Sequence, residues 1–164
     1  MKIRLAEVDD APIVARLILE LAAEVAPGAS TATAERVTAV ARALLGGSSV
    51  WAVLAESGAD EAVGVLTLNE CASISAGGRF GEITEMYVQP AFRSQGIGAN
   101  LIRTALELGR SREWTRLEVG APPVPPWARS SAFYRRNGFE DSGPRLKLAL
   151  RRLQNDTPSG RGDS

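Results

Sequence analysis

Apolar residues recur at helical spacing before Val50 and at strand spacing for a long stretch after it. Ile3–Leu5 reads as a short strand, followed by Asp9 and Asp10 as possible helix caps, with Pro12 tolerated in a first turn. Ile13, Val14, Leu17, Ile18, Leu21 and Val25 share one helical face, and Pro27-Gly28 ends that helix. A second amphipathic helix is expected from near Thr33, with Val37, Val40, Ala41, Leu44 and Leu45 on its stripe and Gly46-Gly47 as its stop. Val50–Ala55 and Ala62–Leu68 then predict a hairpin around Glu56-Ser57-Gly58-Ala59-Asp60. Asn69 to Arg79 reads as a looser continuation that turns at Gly77-Gly78, and Glu82–Val88 as a third strand closed by Pro90.

Past that strand the pattern alternates again. Arg93–Gly98 is a compact glycine-containing loop, and Leu101, Ile102, Ala105 and Leu106 carry a helix to Gly109. Thr115–Val119 is a strand, interrupted after Gly120 by Pro122, Pro123, Pro125 and Pro126, which have no N–H to give a ladder. A helix from about Trp127 to Arg136 stops at Asn137-Gly138. Phe139–Asp141 and Leu146–Leu150 would close the sheet through Ser142-Gly143-Pro144. The order β-α-α-β-β-β-α-β-α-β-β predicts an α/β (α+β) domain with a mixed, mainly antiparallel central sheet and helices on both faces. One domain over residues 1–153 is expected, with 154–164 a polar, glycine-rich, disordered tail. The Arg161-Gly162-Asp163-Ser164 at its end, an adhesion motif in other settings, is read as chance.

Composition removes several kinds of chemistry. The chain of 164 residues has no histidine, so nucleophile systems built on histidine, His-ligated zinc and imidazole acid–base catalysis are excluded. Cys71 is the single cysteine, which excludes an intramolecular disulfide and a cysteine-cluster metal site. No metal is expected. Nineteen basic and nineteen acidic side chains cancel, so neither nucleic acid nor an anionic membrane is an expected partner. No run reaches the about 18 apolar residues that a membrane helix needs. The charged start MKIRLAEVDD is unlike a signal peptide, and a cytoplasmic location is expected. Proton transfers would fall to carboxylates, tyrosine, lysine or water, and only Lys2 and Lys147 are lysines.

The most informative segment runs from Glu82 to Gly98, where a strand enters a loop with two glycines and a helix follows at once. The first N–H groups of a helix lack intrahelical partners and, with the helix dipole, form an anion site suited to phosphate. Gly96 and Gly98 would let backbone approach a ligand, and Arg93 could add a charged donor. Three readings are open. The glycines could serve only a tight turn. They could open a dinucleotide fingerprint with Glu118 on a ribose, although Leu101 stands where the third glycine belongs. Or Arg93-x-x-Gly96-x-Gly98 could be an acyl-CoA loop.

That last pattern resembles the acetyl-CoA pyrophosphate loop of the GNAT (Gcn5-related) N-acetyltransferase superfamily. Ala132-Phe133-Tyr134-Arg135-Arg136-Asn137-Gly138-Phe139 is similar to the second motif of that family, and the order of elements agrees over about residues 2–150. The resemblance implies acetyl transfer from acetyl-CoA to a primary amine by direct attack in a ternary complex, with a homodimer common among relatives. It implies that Met86, Tyr87 and Val88 offer backbone hydrogen bonds to the pantetheine arm, with Val88 N–H as oxyanion donor. It places the pyrophosphate over the amides of Ser94, Gln95, Gly96, Ile97, Gly98 and Ala99, beside Arg93. It makes Tyr134 the proton donor to the departing thiolate, and Glu82 or Glu85 the acceptor of the amine proton. Glu82 is favoured as base and Glu85 as a contact to amine or water. On a regular strand these two carboxylates face opposite sides, and a β-bulge, which the family tends to have here, would change that parity. Trp127 stands where the family often has an asparagine that contacts the pantetheine amide. Selectivity for the acceptor would lie in Pro27–Thr33, Cys71–Phe80 and Ser142–Arg145. A non-catalytic acyl-CoA-binding domain of the same fold is the alternative. Cys71 is expected to have no role.

Overall fold

The computed structural model describes residues 1–28, 32–58, 61–120 and 128–143. Among these residues five strands form one sheet in chain order: β1 (Lys2–Leu5), β2 (Val50–Glu56), β3 (Ala62–Ser73), β4 (Gly78–Val88) and β5 (Leu117–Val119). β1 to β4 are antiparallel neighbours, and β5 joins β4 in parallel. The helices are α1 (Ala11–Val25), α2 (Ala34–Leu45), α3 (Ile97–Ser111) and α4 (Ala128–Arg136). α3 is the crossover that a parallel β4–β5 pair requires. The expected mixed sheet, mainly antiparallel and covered by helices, is the sheet observed.

Each face of the sheet has its own core. On one face Val53, Val63, Leu66, Leu68 and Ile83 pack against Ile97, Leu101, Ile102 and Ala105 of α3. On the other, Leu54, Val65 and Tyr87 pack against Val14 and Leu17 of α1 and Ala41 of α2. Covering on both sides explains why β2 and β3 read as nearly unbroken apolar runs. Each leucine or valine with no exposure contributes on the order of 2 kcal/mol through burial.

Three local expectations are corrected. Asn69–Arg79 is no loose continuation, because β3 runs to Ser73 and pairs residue by residue with β4 from Gly78. Its tight tip is made possible by positive φ at Gly77 and Gly78. The polar residues that suggested a loop are used inward: Glu70 accepts from Arg112 Nε at 2.8 Å and from Trp114 Nε1 at 2.6 Å. Asp10 precedes α1, but its side chain does not cap that helix. Its carboxylate instead accepts from Arg4 at 2.6 and 2.9 Å and from the Glu7 N–H at 2.8 Å. Phe139–Asp141 forms no strand among the described residues. The expected partner strand Leu146–Leu150, the tail from 154, and Trp127 lie outside the described residues. Thr33 does cap α2, accepting from Arg36 N–H at 3.3 Å.

Candidate functional site

The site is built around an irregularity in β4. Thr67 pairs with Glu85 and Leu68 with Ile83, so Thr84 has no opposite number and forms a β-bulge. The extra residue resets the alternation. Glu82 opposite Asn69 and Glu85 opposite Thr67 therefore lie on one face of the sheet, the α1/α2 side, because Asn69 and Thr67 are two apart. Both carboxylates face the same way, as the bulge parity requires. Glu85 Oε2 accepts from the hydroxyl of Thr84 at 2.7 Å and from the hydroxyl of Thr67. The two hydroxyls are themselves 2.8 Å apart. Glu82 Oε2 accepts from the Cys71 thiol at 3.7 Å, and Asn69 Nδ2 donates to the same sulfur at 3.5 Å. Cys71, expected to be idle, thus sits beside the candidate base.

The bulge also ends the pairing with β5. That ladder runs Gly81–Leu117, Glu82–Glu118 and Ile83–Val119, and no described residue pairs with this edge of β4 beyond it. Gln89 N–H donates to the Val63 carbonyl at 2.9 Å, and the register continues through Val88–Gly64, Tyr87–Val65 and Met86–Leu66. Hydrogen-bonded pairs alternate in an antiparallel ladder, so the backbone of Tyr87 faces β3, while that of Met86 and Val88 faces the open edge. Of the three residues expected to offer backbone to a pantetheine arm, Met86 and Val88 are so turned. Tyr87 is not, since its polar backbone atoms belong to the ladder and its ring is buried against α1.

Beyond Val88 the chain makes a 3-10 turn, Pro90–Phe92, and reaches α3 through Arg93–Gly96. Ser94 and Gly96 both adopt positive φ, 62° and 78°. For serine this is a strained conformation, of the kind found where a backbone must aim at something. The Asn100 N–H bonds back to the Gly96 carbonyl at 3.1 Å, leaving the amides of Ile97, Gly98 and Ala99 at the open end of the helix. Gln95 turns back to the Ala91 carbonyl at 3.2 Å. Gly98 has a different reason from the expected one. A Cβ there would come within 2.9 Å of Met86 Cε and Phe133 Cζ, so its lack of a side chain admits β4 and α4 rather than a ligand.

Arg93 is also placed differently. Its Nε donates to the Val88 carbonyl at 2.8 Å, Nη2 meets Glu24 Oε2 at 2.6 Å, and the guanidinium carbon lies 5.6 Å from the centre of the Tyr87 ring. The cation expected to reach for phosphate is held against the end of α1, and the Glu24 hydrogen bond raises its pKa further.

Tyr134 comes from α4 on the opposite face from the two glutamates. Its ring lies edge-on to Phe133 and Phe139 at 5.4 and 5.5 Å, and its hydroxyl donates to Met86 Sδ at 3.8 Å. Burial pushes the phenol pKa up to about 12, so it keeps its proton at neutral pH. The open edge of β4 therefore runs between a pair of carboxylates on one face and a protonated tyrosine on the other. The Thr67 and Thr84 hydroxyls and the Glu24 carboxylate gave no local signal in the sequence. They reach the site through strand register and a helix approach, and only the pairing of distant segments would have found them.

No curated protein matches the chain. Solved structures do. A ribosomal-protein-alanine N-acetyltransferase from Brucella melitensis biovar Abortus 2308 is 21% identical, with a TM-score of 0.73, over 92% of this chain and 100% of that one. An integron cassette protein, HFX_CASS3, from the mobile metagenome of Cole Harbour Salt Marsh is 27% identical, with a TM-score of 0.74, over 91% and 89%. An aminoglycoside acetyltransferase, meta-AAC0020, from an uncultured soil metagenomic sample, solved with sisomicin, is 19% identical, with a TM-score of 0.75, over 92% and 96%. The family model of the GNAT acetyltransferase domain matches residues 46–141, which span the bulged strand, the loop and the tyrosine helix. The chain belongs to the GNAT acetyltransferase family.

Proposed function

We propose that the protein is an acetyl-CoA-dependent N-acetyltransferase that acetylates a primary amine, on a small molecule or on a peptide or protein, by direct attack in a ternary complex. The observation that carries this reading is the open edge of β4, with Glu82 and Glu85 on one face and Tyr134 on the other. When bound, the donor supplies an acetyl thioester whose C–S bond breaks as the C–N bond forms. Met86 and Val88 hold the pantetheine arm as an added strand would be held, and Val88 N–H stabilises the oxyanion. The pyrophosphate lies over the amides from Ser94 to Ala99.

An amine of pKa about 10.4 is mostly protonated at pH 7, so the site must take a proton from it. Glu82 accepts that proton, directly or through water, while Glu85, fastened by Thr67 and Thr84, orients the amine or the water. Tyr134 gives its proton to the thiolate, whose thiol titrates at about 8.5 if it resembles cysteine. A phenol held near 12 is a weak acid, and its hydroxyl, against Met86 of the open strand, supports this role. A cytoplasmic enzyme, where acetyl-CoA is at hand, fits this reading, and among the described residues no helix is long and apolar enough to cross a membrane.

The test is calorimetric titration with acetyl-CoA against NAD, followed by CoA release in an amine screen. Acetyl-CoA binding without NAD binding, and CoA release that falls by about 10²-fold or more in Glu82→Gln, is the expected result. Acetyl-CoA binding with no amine-dependent release from any acceptor would favour the non-catalytic alternative. No acetyl-CoA binding would overturn the reading.

A further inference from the structure

One side of α1 carries polar residues at intervals of four: Arg16, Glu20 and Glu24. Each fastens the helix to the sheet at a place that matters for the site. Arg16 Nη2 donates to the Ala62 carbonyl at 2.8 Å, at the start of β3. Glu20 accepts from Arg16 at 2.7 Å and from Gln89 Nε2 at 3.0 Å, just past the end of β4. Glu24 takes Arg93, whose Nε is bonded to the Val88 carbonyl. Val88 is the residue whose N–H faces the open edge and whose carbonyl faces it too. With that carbonyl occupied by Arg93, the edge offers two amides and the single carbonyl of Met86.

From this geometry we infer that Arg93 is a clamp on the donor-binding edge of β4 rather than a phosphate ligand, and that Glu24 is its positioning residue. The inference rests on the acetyl-CoA reading above. Three contacts support it. The guanidinium uses its Nε on the last carbonyl of the strand, one terminal nitrogen on a carboxylate, and its face on the Tyr87 ring. A planar fork can satisfy all three at once, and a lysine cannot. With Nε and Nη2 engaged in this way, turning them to a phosphate at the α3 amides would give up both the Val88 bond and the Glu24 ion pair.

The two roles for Arg93 predict opposite signs for Glu24. If Arg93 is a clamp, Glu24→Gln and Arg93→Gln weaken acetyl-CoA binding alike, by about three- to tenfold, and the double variant is no worse than either alone. Adenosine diphosphate, which carries the diphosphate without the pantetheine arm, then competes with unchanged affinity in all three variants. If Arg93 is a phosphate ligand, Glu24→Gln frees it. Acetyl-CoA would then bind that variant as tightly as wild type or more so, Arg93→Gln would lose affinity for both ligands, and the inference would be overturned. Fully additive losses would overturn it as well, since a clamp and its positioner act as one unit. Thermal unfolding midpoints of the three variants separate loss of the clamp from loss of the fold, and a fall in both ligands' affinity together with the midpoint counts against the clamp. Wild-type protein that binds neither ligand would remove the acetyl-CoA reading itself, and the inference with it.

Discussion

Tyr134 owes its high pKa to burial alone, and that gives two separate expectations. Its hydroxyl remains a donor at every pH below about 12, so a fall in turnover at milder alkaline pH belongs to another group. The same shift is a stability term. The fold favours the neutral phenol, whose contribution is intact below the unfolded value of about 10 and is lost as pH rises towards 12. Tyr134→Phe should therefore flatten the alkaline loss of unfolding free energy while lowering kcat by on the order of 10²-fold, with little change in acetyl-CoA affinity. Denaturant titrations at a series of alkaline pH values, with steady-state turnover beside them, check both. At this scale Glu82, Glu85 and Tyr134 were legible as candidates only through the resemblance, whose motifs set their places around the loop. Thr67, Cys71 and Glu24 were not, because nothing near them in the chain states what they will touch. Gly98 was legible as a residue that must be small, and its reason was misjudged: what crowds it is Met86 and Phe133.

Among the elements, β4 carries most of the consequences. Its first half is locked in place by Trp114, whose indole lies over Gly81 and Gly109, stands edge-on to Trp51 at 5.7 Å, and donates to the half-buried Glu70 at 2.6 Å. A Cβ at Gly81 would fall 2.3 Å from Trp114 Cζ3, and the hydrogen bond and the Trp51 contact leave the indole little room to yield. Gly81→Ala should cost about 1–3 kcal/mol in urea unfolding, the usual range for an overpacked core, and should loosen the β4–β5 pairing. If the variant were as stable as wild type, the indole would be freer than these contacts imply. The helices and the order of elements followed from apolar spacing, because each buries one face. The length of the β3–β4 hairpin did not, since Asn69 and Glu70 look like loop residues until Arg112 and Trp114 arrive from the far side of α3. The bulge at Thr84 left no mark in composition at all. It was expected only through the resemblance.

For the molecule as a whole, β1 is joined to the rest by charge as much as by its ladder. Arg4 bridges Asp10 and Glu56, the latter 6% exposed, with Lys2 adding a longer contact to Glu56 at 3.4 Å. Hydrogen bonds from Arg4 hold the Asp10 carboxyl below its usual range. Burial works against ionised Glu56, yet Arg4 and Lys2 outweigh it and its pKa is lowered too. Depressed carboxylates stabilise the fold above the ordinary range of about 4 and cease to do so as pH falls through their folded values. Arg4→Gln should cost about 3 kcal/mol at pH 7, the low end for breaking a buried pair, and the deficit should narrow as the medium is made acid. Unfolding free energies of the two proteins from pH 7 down to pH 3 measure the convergence. A deficit that stayed constant would mean packing, not charge, holds β1. The fold class was readable from the alternation of elements; this network was not, because it joins residues 52 apart in the chain.

The open edge of β4 has one more consequence. An unpaired strand edge is a template for any other strand, and proteins that leave one bare invite edge-to-edge association. Here the exposed length is short, a bulge twists its start away, and the Arg93 guanidinium covers its final carbonyl. In the proposed reading, the features that shape a seat for a flexible ligand are thus also those that make the seat unattractive to a second polypeptide, and a bound arm would lie as an added strand where no described residue pairs.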